Sequence, residues 1–264
     1  AGINTIDSVV SGTADIGMMA DYAAVNRLGN TLDATDLKIF SQISGGGTAQ
    51  SGGLYVDPKY ADDLESLDGS EGFMYQEGTV SYYYASKCIE YLGLDESKQN
   101  LINTDSSQTR LALIQKGGAS AVYANGSEAN YIEDAGWVLA ATSQEIGIQT
   151  GTYFLATDNY ISENKEVLAK FLQAIDESTQ YISDHLDESA EYLEGKLGIK
   201  AEDFKANWVN YSFEPGFSEE ATQHLEDIEK WGFEHGSFPK DYNIRDFITT
   251  EAVDIAYPDK VTLK

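Results

Sequence analysis

Cysteine is almost missing from this chain. Cys88 is the only one in 264 residues, so no disulfide can form within the chain. Its setting, "SYYYASKCIEYLGL", reads as a helix, and a buried structural thiol is expected there. Histidine is scarce as well. His185, His224 and His235 make no His-x-x-x-His pair, which argues against zinc. No metal and no cofactor are therefore expected. Basic residues are few, 17 Lys and Arg against 44 Asp and Glu, for a formal charge of −27. A field of that sign repels phosphate backbones and anionic membranes, which excludes nucleic acid as a natural partner. Its simplest role is solubility. Long apolar runs are also missing, and none reaches the ~20 residues that span a bilayer. No signal-peptide pattern is visible. "AGINTIDSVV" opens without Met and already reads as helix, so a processed or truncated chain is expected, with any targeting segment upstream.

What is present points to a folded protein. Apolar residues make up 42% of the chain and aromatics 11%, with 17 tyrosines, so a substantial core can form. Tyrosine needs a partner for its hydroxyl when buried, and so many of them suggest polar clefts. The length suits one large domain or two lobes.

Read along the chain, strands alternate with helices. "NTIDSVVS" (4–11) has apolar residues at helical spacing, and "ADIGMM" follows as a strand. "DLKIFSQIS" (36–44) reads as a strand, "GGGTAQSGG" (45–53) as a loop and "GLYVDP" (53–58) as a strand stopped by Pro58. Phe73 to Tyr75 form a strand, Gly78 a turn, and Thr79 or Ser81 caps a helix that Gly93 ends. "NLINTD" (100–105) is a strand, and 106–118 is a helix capped by Ser106 or Ser107. "ASAVYA" (119–124), "WVLAAT" (137–142) and "GTYFLATDNYI" (151–161) complete the strands. Helices follow over 163–183, 187–199 and 218–233, the last capped by Ser218 with Glu219 and Glu220 in its first turn. This alternation predicts an α/β fold with mainly parallel sheets. "VVSGTADIGM" (9–18) and "LIQKGGASAV" (113–122) also share a layout, aligning Gly12 with Gly117 and Asp15 with Ser120. Two lobes of similar build would produce that echo. Asp15 is expected at a strand entrance, bonding turn N–H groups.

The order of these pieces resembles substrate-binding proteins of ABC importers, in the nitrate/sulfonate/taurine-binding branch. The stretches that carry the resemblance are "SGTADIGMMADY", "ESLDGSEGFMYQEGTVSYYYASKCIEYLGLD", "TRLALIQKGGASAVYA", the helical run from "ISENKEVLAKF" to "EGKLGI", and "EAVDIAYPDKVTL". Together they cover nearly the whole chain. Two departures stand out. The family's opening strand, first ligand loop and first helix have no counterpart and are expected upstream of Ala1. Its Trp-x-Pro-like element is replaced by "YANGSE" (123–128).

The resemblance implies a type II periplasmic-binding-protein fold. Two α/β lobes would be joined by a hinge of two crossing strands, near 54–62 and 145–153. Lobe 1 would comprise 1–60 plus 148–264, and lobe 2 would comprise 61–147. It implies an extracytoplasmic receptor, periplasmic or lipid-anchored. Such a monomer would close over a small-molecule ligand and pass it to an ABC permease. The ligand would be a sulfonate or taurine-like compound, or a pyrimidine or thiamine precursor. An enzyme on the same fold and a sensory ligand-binding domain remain alternatives, although no His/Cys cluster, nucleophile elbow or linker to a signalling domain is visible.

Ligands in open α/β sheets sit beyond the carboxyl ends of strands. That rule selects Asp21 and Tyr22 after "IGMM", Gln76, Glu77, Gly78 and Thr79 after "FMY", and Asn125, Gly126 and Ser127 after "AVYA". The turn at Gly78 is the sharpest candidate, since N–H groups at a helix start suit a polar ligand group. Asn125-Gly126-Ser127 is also a glycosylation sequon, read as accidental. The glycine run from Gly45 lacks the Lys-Ser/Thr of a phosphate loop. Arg27 and Arg110 are two of three arginines. Surface solvation is expected for both, with ligand contact by Arg110 as the alternative. Carboxylates and tyrosines near the site favour an organic ligand with ring or amine character over a small inorganic anion.

Overall fold

The computed structural model describes residues 2–32, 34–48, 52–77, 79–208 and 215–263. The chain divides into two compact units, one of Ala1–Gly47 with Thr150–Lys264 and one of Thr48–Gln149. The first segment of unit 1 contains α1 (Gly2–Val10), β1 (Gly17–Ala20), α2 (Asp21–Asn30) and β2 (Leu37–Thr48). Unit 2 runs through β3 (Gly53–Val56), β4 (Phe73–Tyr75), α3 (Val80–Tyr91), β5 (Leu101–Asn103), α4 (Ser107–Gln115) and β6 (Ala121–Ala124). It ends with α5 (Gly126–Asp134), β7 (Val138–Thr142) and the short α6 (Ser143–Ile146). The chain returns through β8 (Gln149–Thr157) to α7 (Asp158–Asp184), α8 (Leu186–Leu197), α9 (Ala201–Trp208), α10 (Glu219–Glu234) and α11 (Glu251–Ala256).

The α/β class holds, with mixed rather than mainly parallel sheets. Unit 1 has a three-stranded sheet in the order β1-β8-β2, and β1 runs antiparallel to β8. Unit 2 has five strands in the order β5-β4-β6-β3-β7. There β4 runs parallel to β5 and β6, whereas β3 runs antiparallel to β6 and β7. The parallel pairs are those whose connections hold a crossover helix, as parallel pairing requires. Strand β3 enters the sheet from outside that series and reverses its direction.

Several local expectations change. Gly45 to Gly47 continue β2 instead of forming a loop. Residues 158–161 leave the strand because Thr157 caps α7, its Oγ1 accepting from Tyr160 N at 3.2 Å. Asp21 and Tyr22 open a helix rather than a polar loop, and so does Gly126. Asp15 is exposed and does not serve the turn. The N–H groups of Thr13 and Ala14 bond the Ser8 carbonyl instead. The aligned glycines do behave alike. Gly12 and Gly117 have φ of 71° and 63° after α1 and α4, a conformation that costs glycine little. Ser120, fully buried, accepts from Gly72 N–H at 3.2 Å and donates to Glu71 at 2.7 Å.

The core of unit 1 gathers Phe40, Ile43, Phe154, Ile161, Leu168, Leu172 and Val253 between the sheet, α7 and α11. That of unit 2 gathers Tyr55, Met74, Ile114, Val122, Ile132 and Trp137. A glycine on α2 and another on α10 both abut the Phe238 ring. The buried Phe238 ring lies where a Cβ on Gly29 would come within 2.5 Å, and one on Gly232 within 2.7 Å. With both sides occupied the ring cannot step aside. Gly29→Ala is therefore expected to lose about 2 kcal/mol net, overpacking outweighing the gain in helix propensity. Urea denaturation checks this, and an unchanged or raised midpoint would count against the wedge.

Glu229 of α10 is buried, and its Oε1 has no hydrogen-bond partner. Burial, then the Asp241 side chain, raises its pKa to about 7. The folded chain thus retains a proton that the unfolded chain releases above the ordinary carboxylate range. Stability from this group is complete at low pH and falls as pH rises toward about 7. Thermal melts at about pH 5 and about pH 8 should show a smaller drop for Glu229→Gln than for the parent. Equal drops would assign the pH dependence elsewhere.

Candidate functional site

Seven of the nine expected site residues belong to unit 2, where β4, β5 and β6 each lead into the start of a helix. Thr79 caps α3, its Oγ1 accepting from Ser81 N at 3.2 Å and donating to the Gln76 carbonyl at 2.8 Å. Ser81 Oγ turns back to accept from Gln76 N at 2.8 Å. Glu77 is exposed and paired twice with Asn103: its N–H donates to Oδ1 at 3.1 Å, and its Oε2 accepts from Nδ2 at 3.0 Å. Gly78, the expected turn, lies outside the described residues. Where β4 ends, Gln76 and Thr79 are thus tied to Ser81, and Glu77 is tied separately to Asn103 of β5.

Asn125 and Gly126 are exposed at the start of α5, and Ser127 lies in its first turn. Asn125 occupies the N-cap position without a side-chain capping bond, and Gly126 has φ of 55°. At the third helix start, Ser106 caps α4 by accepting from Thr109 N at 3.2 Å. Asp105 accepts from the Thr109 hydroxyl at 2.6 Å, and that bond, with one from Ser106, holds its carboxyl below the usual range.

Arg110 fastens these pieces together. Its side chain is only 7% exposed, so the expectation of a solvated arginine is corrected. Nε donates to Thr104 Oγ1 at 2.9 Å, Nη1 to Glu128 Oε1 at 2.7 Å and Nη2 to Ser81 Oγ at 3.2 Å. Thr104 Oγ1 donates onward to the Tyr75 carbonyl at 2.7 Å. One planar fork of donors therefore ties α4 to α3, to α5 and to the end of β5. The sequence places Arg110 one turn into its helix, but no local pattern marks Glu128, 18 positions on, as its partner. Arg27 pairs with Asp7 at 2.8 Å in unit 1. Beside this network the rings of Tyr75 and Tyr82 lie 4.7 Å apart at 39°, each partly exposed.

Asp21 and Tyr22 belong to unit 1, and both are buried. Asp21 Oδ1 accepts from Tyr22 N at 2.7 Å. Its Oδ2 accepts from Gly151 N at 2.9 Å and meets His224 Nε2 at 2.8 Å. Asp21 and His224 are each 2% exposed. The Tyr22 hydroxyl pairs with Ser237 Oγ at 3.2 Å, its ring stands edge-on to Trp231, and burial raises its pKa. These partners consume both side chains inside the unit. His224, 203 positions away from Asp21, had no local signal linking it to that residue.

Among the described residues no group of three His, Cys, Asp or Glu can hold a metal ion, and no helix is long and apolar enough to cross a membrane. Cys88 is fully buried in α3, and burial pushes its thiol pKa up. The unit-2 helix starts offer hydrogen-bonding groups beside the partly exposed rings of Tyr75 and Tyr82.

The family model described as NMT1/THI5 like matches residues 4–189, more than half of the chain. No curated protein matches in sequence. The solved periplasmic aliphatic sulphonate binding protein SsuA from Escherichia coli is similar in fold, with a TM-score of 0.78 at 17% identity over 94% of this chain and 84% of that one. The alkanesulfonate-binding protein SsuA from Xanthomonas axonopodis pv. citri, bound to MOPS, gives 0.71 at 14% identity over 95% and 85%. The desulfurization enzyme DSZB gives 0.66 at 10% identity over 92% and 85%. These likenesses show that the chain has the periplasmic-binding-protein fold.

Proposed function

Because the chain belongs to the NMT1/THI5-like family, we propose that it is an extracytoplasmic solute-binding receptor of an ABC importer, working as a monomer. It captures a small organic nutrient and delivers it to a membrane permease. The observation that carries this reading is the unit-2 rim. Three helix starts, with Gln76, Glu77, Thr79 and Asn125, follow the carboxyl ends of parallel β4, β5 and β6, where open α/β sheets bind ligands, and Asn103 is the last residue of β5. Gln76, Glu77, Thr79, Asn125 and Gly126 are the ligand contacts in this reading, flanked by Gly78 and Ser127. Asp21 and Tyr22 shape unit 1 from beneath its surface.

Two solute classes fit the family: sulfonate or taurine-like compounds, and pyrimidines of the thiamine-precursor kind. An enzymatic reading draws on the likeness to DSZB. Against it, the single thiol of this chain is buried and held protonated, and the nucleophile in thiol chemistry is the thiolate.

Thermal-shift screening of the protein against sulfonates, pyrimidines and amines tests the receptor reading. A true solute at a hundred times its Kd adds about 2.7 kcal/mol, a rise in Tm of roughly 5–10 °C. A flat response across all classes would overturn the reading.

A further inference from the structure

The unit-2 rim carries few charges, and their signs are uneven. Residues 73–82, 101–110 and 121–130, which make the strand ends and first helical turns, contain three acids and one base. The base is Arg110, buried and committed to Glu128, Thr104 and Ser81. Its charge is cancelled by Glu128 within the network. Two acids are left, Glu77 and Asp105, both exposed. Asp105 is engaged by the Thr109 hydroxyl.

Glu77 stands beside an aromatic surface. Its Oε2 accepts from Asn103 Nδ2 at 3.0 Å, and Asn103 is the partner of Tyr75 in the β4–β5 ladder, so the carboxylate stands next to Tyr75; its charge adds to burial in raising the phenol pKa. Tyr75 and Tyr82 present partly exposed rings 4.7 Å apart. A carboxylate next to aromatic faces attracts a cation twice, by its charge and through the ring quadrupoles. A sulfonate placed there would meet the same carboxylate, and the one base of those three stretches, Arg110, is already committed to Glu128.

We propose that this rim selects a solute carrying positive charge on a flat organic body, an aryl- or heteroaryl-alkylammonium, and rejects sulfonates of equal size. The proposal rests on the receptor reading above and narrows it. Glu77 pairs with the ammonium, and the Tyr75–Tyr82 faces hold the ring. Specificity then comes from a repulsive element against anions as much as from attraction.

Calorimetric titration with three size-matched probes tests it: benzylamine, benzyl alcohol and phenylmethanesulfonate. Benzylamine should bind at least about tenfold more tightly than the sulfonate, a difference of about 1.4 kcal/mol. Added salt should weaken the amine and leave the alcohol unchanged. Glu77→Gln keeps an acceptor for Asn103 and should erase most of the amine preference. Glu77→Lys should reverse it toward the sulfonate, and Tyr82→Leu should weaken amine and alcohol alike. Circular-dichroism melts confirm that each variant folds. Tighter binding of the sulfonate by the parent protein, or an unchanged amine affinity in Glu77→Gln, overturns the proposal while leaving the receptor reading intact. Absence of binding by every class in the wider screen removes the receptor reading and this inference together.

Discussion

Asp21→Ala should lower the free energy of unfolding by about 4 kcal/mol, the largest loss expected from a single polar side chain here. The reasoning is a count of what is stranded. The carboxylate accepts from Tyr22 N, Gly151 N and His224 Nε2, all at 2.9 Å or less. Removing it leaves two buried N–H groups, of Tyr22 and Gly151, and the buried His224 imidazole without their partner, at about 1–3 kcal/mol each. Asp21→Asn has one acceptor oxygen instead of two and should lose roughly half as much. Urea denaturation gives both values. A loss below about 1 kcal/mol, together with loss of any solute-induced thermal shift, would make Asp21 a ligand contact instead of a scaffold.

Arg110→Met should lower stability by about 3 kcal/mol and also weaken solute binding at the unit-2 rim. Methionine fills part of the volume but leaves Glu128, Thr104 and Ser81 without their shared donor. The loss belongs at the lower end of the range for broken buried pairs, because the Glu128 side chain is 28% exposed and water can reach it. A double-mutant cycle with Glu128→Gln separates the pair from its surroundings. The double variant should lose clearly less than the sum of the two single losses. Additive losses would mean that the two residues act independently, and the account of Arg110 as the tie between α3, α4 and α5 would fail.

The two residues also mark where sequence reading succeeded and where it stopped. Caps were legible because they are local. Thr79, Ser106 and Ser218 lie within three positions of the N–H groups they serve. Gly12 and Gly117 were legible for the same reason, since a helix ending in a left-handed turn favours glycine. Helix α2 was not legible. "DYAAVNRLGN" contains Gly29 and two asparagines, weak formers by intrinsic propensity. It is a helix because Asp21 anchors its start and Phe238 packs on Gly29. Helix α5 begins with Gly126 and Ser127, which read as a turn until Glu128 is seen bonded to Arg110. The glycine run in β2 reads as loop because glycine disfavours strands, yet its backbone continues the sheet. Of the positions chosen by the strand-end rule, Asp21, Gln76 and Asn125 directly follow β1, β4 and β6. That rule could not say that Asp21 turns inward while Glu77 stays exposed, because the difference depends on His224 and Asn103, far away in sequence.

The strand order of unit 1 has a consequence for how the protein is made. β8 lies between β1 and β2 in the sheet, but the ribosome delivers it only after all of unit 2. About 100 residues separate the end of β2 from the start of β8, which at typical elongation rates is about 5–20 s of synthesis. For that interval the nascent β1 and β2 wait without the partner that joins them, and their apolar faces are open to other chains. Unit 2, a single uninterrupted stretch, can complete itself in the meantime. Chaperone contact during translation should therefore concentrate on the β1–β2 stretch, residues 17–48, and fall once β8 has emerged.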